Sequence, residues 1–175
     1  MTKIIFLDID GVLNTDDDPK PIINGVDPAN VFHDIPRRDL ISNLNHIINE
    51  TGANVVISST WRKHAHWGIL WRLFQVLGFE GKIIDSTPVD GDDRGQQIKQ
   101  WLEDENTGKH ICLIDKLRWN IKIEKVVTFV ILDDLVYDII SHEDLKNNTV
   151  ATDPSHGLTI EKVREAIKIL NGERK

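Results

Sequence analysis

The stretch Phe6-Leu7-Asp8-Ile9-Asp10-Gly11-Val12-Leu13-Asn14 decides the fold, because in it an apolar strand ends at two aspartates. Asp8 and Asp10 are two residues apart, so both side chains project to one side of an extended chain. A run that is apolar on both faces is typical of a central strand in a parallel sheet. Two carboxylates there are unfavourable unless they share a proton or a cation. The stretch therefore predicts a ligand site at the carboxyl end of a central strand.

A second acidic pair ends another apolar run, Phe129-Val130-Ile131-Leu132-Asp133-Asp134. If the two strands are neighbours, four carboxylates converge on one crevice. Mg²⁺ prefers hard oxygen ligands and is the simplest ion to hold them together. The alternative is that these acids belong to ordinary solvated loops, but their repetition in the same context disfavours it.

Short β-branched runs alternate with helical patterns along the chain, which is typical of an α/β protein. Strands are predicted at Lys3–Leu7, Asn54–Ile57, Lys82–Ile84, His110–Ile114, Thr128–Leu132 and Asn148–Thr152. Helices are predicted between Pro36 and Gly52, from Arg62 to Leu77, from Arg94 onwards, and after an N-cap at Thr159. We expect a single domain over residues 1–175, built as three α/β/α layers around a mostly parallel sheet.

The net charge of -7 argues against a protein that coats nucleic acid, although it allows a substrate held by a few local cations. The lone Cys112 lies in an apolar run and is expected to be buried and inert. No apolar stretch approaches the length of a membrane span, and no secretory signal is evident. We therefore expect a cytoplasmic protein.

Three motifs resemble those of the haloacid dehalogenase (HAD) superfamily, in the order and spacing of that superfamily. The run Asp8-Ile9-Asp10-Gly11-Val12-Leu13 resembles its first motif in the phosphatase form. The run Val55-Val56-Ile57-Ser58-Ser59-Thr60-Trp61-Arg62 resembles the second, and Asp133-Asp134 resembles the fourth. The resemblance implies a Rossmann-like HAD fold with the Asp8 strand between the other two.

Within the superfamily, the chain is most similar to small HAD domains found in RNA-repair proteins. The similarity lies in Ser59-Thr60-Trp61-Arg62, in the pattern from Arg94-Gly95 to Trp101-Leu102, and in the late segment Thr152–Thr159.

The resemblance implies a Mg²⁺-dependent phosphatase that works through an aspartyl-phosphate. Asp8 would be the nucleophile and a metal ligand. Asp10 would be the general acid and base, with its backbone carbonyl on the metal. Asp133 or Asp134 would complete the metal site.

Phosphoryl oxygens would be bound by Ser58, with Ser59 as the alternative. Arg62 follows this turn and could reach the substrate or lie on the surface. The third motif departs from the family pattern, which usually has a lysine. Arg94 is favoured because it opens a helix after the third strand, where the family places its cation, and because it matches the pattern of the small HAD domains; Lys99 comes next. The full candidate set is Arg94, Lys99, Lys116, Lys122 and Lys125.

Aromatic side chains near the second motif have two interpretations. Trp67 and Trp71 are expected to pack in the core, whereas Trp61 could stack on a substrate base.

His64 and His66 diverge on a helix and make a poor metal pair. The segment His110–Val127 has no predicted function.

Neither Asn14–Pro36 nor Asp85–Asp93 is long enough for a full cap domain, so at most a minimal cap is predicted. An open crevice suits a phosphate on a large substrate, such as a nucleic-acid end gripped by Arg37, Arg38, Arg62 and Lys63. The alternatives are a phosphotransferase of the same fold and a phosphatase of a small metabolite or a phosphoprotein. A monomer or small homo-oligomer is expected.

Overall fold

The structure, a computed structural model, describes residues 2–17, 35–107 and 126–173. Within them, five strands form one parallel sheet in the order β3-β2-β1-β4-β5. The strands are β1 (Thr2–Leu7), β2 (Asn54–Ile57), β3 (Ile83–Ser86), β4 (Val126–Asp133) and β5 (Thr149–Ala151). The predicted α/β class and the central position of β1 are confirmed.

Strand register sets the level of the site. Leu7, the last residue of β1, pairs with Ile57 of β2 and with Leu132 of β4. The next residue of each strand, namely Asp8, Ser58 and Asp133, therefore emerges at the same carboxyl edge. Backbone bonds continue past the pairs, from Asp8 N–H to Leu132 O at 2.9 Å and from Ser58 N–H to Leu7 O at 2.9 Å.

In the described ranges, six α-helices cover both faces of the sheet. They are α1 (Arg38–Thr51), α2 (Trp67–Val76), α3 (Arg94–Thr107), α4 (Tyr137–Ile140), α5 (Glu143–Lys146) and α6 (Ile160–Leu170). The larger apolar cluster joins one sheet face to α1, α2 and α6, and the smaller joins the other face to α3, α4 and α5. Because strand side chains alternate between faces, Ile5 and Leu7 enter the first cluster while Ile4 and Phe6 enter the second. The three-layer arrangement is thus observed.

The predicted helix from Arg62 to Leu77 is wrong at its start. A 3₁₀ helix over Thr60–Lys63 is followed by a break, and α2 begins only at Trp67. His66 has an extended backbone, and its ring Nδ1 accepts a hydrogen bond from Gly68 N–H at 3.1 Å. This N-cap satisfies a helix-terminal donor and separates the two helical segments.

The segment Thr152–Thr159 lies against the loop that follows β1. Thr152 Oγ1 donates to Gly11 O at 2.8 Å, and Leu158 N–H donates to Val12 O at 2.8 Å. Asp16 N–H in turn donates to Pro154 O at 3.0 Å. The late segment therefore fixes the backbone that carries the first aspartate pair.

Several predictions fall on residues 18–34 or 108–125, outside the described residues. They concern most of the Asn14–Pro36 insert, the strand His110–Ile114, Cys112, Lys116, Lys122 and Lys125. No helix in the described ranges is long and apolar enough to cross a membrane.

Candidate active site

Three carboxylates meet at the carboxyl edge of the sheet. Asp8, Asp133 and Asp134 each offer one oxygen, and these oxygens all lie within 4.8 Å of one another. Asp8 is 3% exposed and Asp133 is fully buried. Such a set of hard oxygen donors fits a divalent cation such as Mg²⁺.

Gly11 is required for this approach of Asp134. The residue has a φ of 68°, a conformation that other residues adopt rarely. A Cβ atom at Gly11 would lie 2.5 Å from Cγ of Asp134. Any larger residue would therefore displace the third carboxylate.

Arg94 supplies a cation to the acidic cluster. It is the first residue of α3, and its Nη1 contacts the carboxylates of both Asp8 and Asp133, the second at 2.5 Å. Gly95 lets His142 pack against the start of this helix, since a Cβ there would lie 2.3 Å from its Cδ2 atom. His142 Nε2 also lies 3.2 Å from the Asp93 carboxylate. The start of α3, and with it Arg94, is thereby held in place.

The electrostatics of the cluster favour an added cation. Burial and the charge of Asp8 raise the pKa of Asp133, and Arg94 offsets only part of this increase. Burial and the Asp8 charge also raise the pKa of Asp134. Burial alone would lower the pKa of Arg94, but Asp8 and Asp133 outweigh burial and raise it, so the guanidinium stays charged. Negative charge therefore remains in excess.

Asp10 is held apart from this cluster by two donors. Trp61 Nε1 lies 3.1 Å from Oδ1 and 3.0 Å from Oδ2 of the Asp10 carboxylate. Asn14 Nδ2 donates to Oδ1 at 2.9 Å. Trp61 is only 4% exposed, so its ring faces are covered and the suggestion that it stacks on a substrate base is wrong.

The two serines after β2 differ in what their hydroxyls contact. Ser59 Oγ accepts from Trp61 N–H at 3.3 Å. Ser58 Oγ is buried and has no hydrogen-bond partner within the described part of the chain. A buried hydroxyl without a partner is unfavourable, which suits a group that a bound ligand satisfies. This difference supports Ser58 as the phosphoryl-binding residue.

Arg62 connects the loops after β2 and β3. Nη1 donates to Ser58 O and Ser59 O, while Nε and Nη2 donate to Thr87 O and Pro88 O. Nη2 also donates to Gln97 Oε1 at 2.6 Å.

These bonds engage all five N–H groups of the Arg62 guanidinium, so direct contact with a phosphate would require one of the bonds to break. Burial and the charge of Arg94 lower the pKa of Arg62 to about 10. Direct substrate binding by Arg62 stays a prediction, and the observed contacts hold the two loops together. Gln97 was not among the predicted site residues, because nothing in a helical pattern marks which polar residue contacts a distant arginine.

The other predicted cations and histidines lie away from the cluster. Lys99 is half-buried, and its Nζ pairs with the Asp144 carboxylate at 3.2 Å near the surface. His64 is exposed, and His66 caps α2. Neither histidine belongs to a metal-type cluster in the described ranges.

Residues 4–163 match a known protein family, the HAD domain in Swiss Army Knife RNA repair proteins. The chain belongs to this family. Membership covers most of the sequence and indicates a hydrolase of the phosphatase type. HAD domains typically use Mg²⁺, and the acidic cluster agrees with that. No curated protein and no solved structure matched the chain.

Replacing Arg94 tests which residue supplies the third-motif cation of this HAD domain. Because the half-buried Arg94 contacts two carboxylates, we expect Arg94→Ala to lower kcat/KM for an aryl phosphate by about 100-fold or more. Lys99→Ala removes only an exposed ion pair, so its kcat/KM should stay within about twofold of wild type. Thermal melting in Mg²⁺ checks that both variants are folded. A crippled Lys99→Ala beside an active Arg94→Ala would contradict the assignment.

Proposed function

We propose that this HAD domain is a Mg²⁺-dependent phosphomonoester hydrolase that works through an aspartyl-phosphate on Asp8. The observation that carries the proposal is the grouping of Asp8 with two further carboxylates, the cation Arg94 and the available hydroxyl of Ser58. Such a reaction needs a nucleophile, a cation and a group that donates a hydrogen bond to the phosphoryl oxygens.

Charge repulsion is the main obstacle to the reaction. A carboxylate and one phosphate charge about 4 Å apart repel by roughly 4 kcal/mol at an effective dielectric constant of about 20. A phosphate dianion doubles this repulsion, and Asp133 and Asp134 add to it. Arg94 offsets one negative charge, and a second cation is needed to offset the remaining charges of the carboxylates and the phosphate.

The described residues fit Mg²⁺ in that role. Asp8, Asp133 and Asp134 would hold the ion, with the backbone carbonyl of Asp10 as a further ligand. When bound, Mg²⁺ would neutralise charge between Asp8 and the phosphate and polarise a phosphoryl oxygen.

The chain's own residues then account for two successive displacements. An Asp8 carboxylate oxygen attacks phosphorus, the ester P–O bond breaks, and Asp10 gives its proton to the leaving oxygen. Asp10 next takes a proton from a water molecule, whose oxygen attacks phosphorus and displaces the Asp8 carboxylate. Ser58 and Arg94 bind the phosphoryl oxygens during both steps. Phosphate is released and both aspartates return to their starting states.

Loss of the nucleophile tests this proposal. Asp8→Asn should abolish phosphate release from an aryl phosphate, because a neutral amide is a poor nucleophile and a poor metal ligand. Chelation of Mg²⁺ should abolish wild-type activity, and added Mg²⁺ should restore it. Steady-state phosphate release is the measurement. Full activity of Asp8→Asn at saturating Mg²⁺ would refute the proposal, and transfer to an added alcohol without net phosphate release would instead indicate a phosphotransferase.

A nucleic-acid end is the substrate that the site supports best. The matched family is described by its occurrence in RNA repair proteins. Just beyond Asp133 and Asp134, at the same edge of the sheet, Leu135 is 70% and Tyr137 is 84% exposed. An exposed aromatic ring offers a stacking surface to the base beside a terminal phosphate. Arg38 and Lys63 are also exposed, whereas Arg37 pairs with Asp39 at 2.6 Å.

Substrate size tests this assignment. We expect a 5′- or 3′-phosphorylated oligonucleotide to be hydrolysed with a higher kcat/KM than the matching mononucleotide, and less well as salt rises. Tyr137→Ala should lower kcat/KM for the oligonucleotide by about tenfold, as loss of one stacked base predicts. The same variant should keep its activity on an aryl phosphate. A preferred mononucleotide, sugar phosphate or phosphopeptide without salt dependence would contradict the assignment.

A further inference from the structure

The carboxylate of Asp10 makes an uneven set of contacts. Oδ1 accepts from Asn14 Nδ2 at 2.9 Å and shares the Trp61 indole N–H at 3.1 Å. Among the described residues, Oδ2 accepts only the shared indole N–H, at 3.0 Å. In the described residues both partners are donors, and neither indole nor amide nitrogen can accept a proton.

Both donors are themselves fixed. Trp61 is buried, its backbone N–H donates to Ser59 Oγ at 3.3 Å, and its carbonyl accepts from His64 N–H and Ala65 N–H at 3.0 Å each. Asn14 is buried, and its Oδ1 accepts from Gly11 N–H at 3.0 Å. The carboxylate therefore lies against two rigid supports from different parts of the chain, one from the loop after β1 and one from the 3₁₀ helix after β2.

We infer that Trp61 and Asn14 are positioning residues that fix the orientation of the Asp10 carboxylate for its proposed role in proton transfer. This inference rests on the proposed phosphatase activity. Trp61 contacts both carboxylate oxygens and Asn14 contacts Oδ1, so the two donors together restrict rotation of the carboxylate. Neither partner can accept a proton from Asp10, so in the proposed reaction the leaving oxygen of the ester receives it. The carboxylate, held in the same orientation, then takes the proton of the attacking water.

Trp61→Phe removes the indole N–H while keeping an aromatic ring in the core. The readout is kcat/KM for 4-nitrophenyl phosphate, whose leaving group needs little protonation, and for phenyl phosphate, whose leaving group needs more. We expect the variant to lose about tenfold more activity on phenyl phosphate than on 4-nitrophenyl phosphate. Asn14→Ala should show the same direction of selectivity. The Mg²⁺ concentration for half activity should not change in either variant.

Trp71→Phe is the matched control. It removes an indole N–H that donates to Gly81 O at 3.2 Å, away from the acidic cluster. We expect it to affect both substrates equally. In an Asp10→Asn background, Trp61→Phe should produce no further leaving-group dependence, because the residue acts through Asp10.

Equal losses on the two substrates in Trp61→Phe and Asn14→Ala would overturn the inference, since a merely structural role lowers both rates together. Persistence of the Trp61→Phe selectivity in the Asp10→Asn background would also overturn it. A wild-type protein that releases no phosphate from either substrate would refute the proposed function itself, which is a distinct outcome.

Discussion

Asp8 and Asp133 are buried carboxylates on adjacent strands, and strand register brings them to the same level at the edge of the sheet. Water cannot screen their repulsion at such a place, so the fold must supply cations. Arg94 contacts both groups and offsets part of the repulsion. The start of α3 must hold Arg94 there, which explains the contact between Gly95 and His142. The third carboxylate, Asp134, increases the negative charge further and makes a bound divalent cation favourable.

Around this cluster, the chain holds its reactive groups by separate means. Arg94 contacts Asp8, whereas Arg62 holds the backbone of the Ser58 and Thr87 loops. In the described residues, Asp10 is supported by Trp61 and Asn14, which are neutral donors. The two arginines therefore differ in what they hold.

The central features were predictable because they depend on local patterns. The apolar run that ends in Asp8 predicts a buried strand and the residue at which that strand ends. The run that ends in Asp133 does the same. The position of Arg94 was predictable because it begins the helix after the third strand, where the resemblance to HAD domains places a cation. The sequence did not predict the residues that support Arg62 and Asp10, which are Gln97, Asn14 and Trp61. Their contacts join segments whose relative position depends on the whole fold. The break before Trp67 was missed since the His66 cap interrupts an otherwise continuous helical pattern.

Direct capture of the covalent intermediate tests the central claim most closely. Asp10→Asn should slow the second displacement more than the first when 4-nitrophenyl phosphate is the substrate, so an aspartyl-phosphate should accumulate. Acid quenching and borohydride reduction would convert that residue to homoserine, which peptide mass spectrometry locates. We predict homoserine at position 8, only when substrate and Mg²⁺ are both present. Homoserine at another residue would contradict the account. So would an unmodified position 8 in the Asp10→Asn samples when the wild type turns over the substrate steadily.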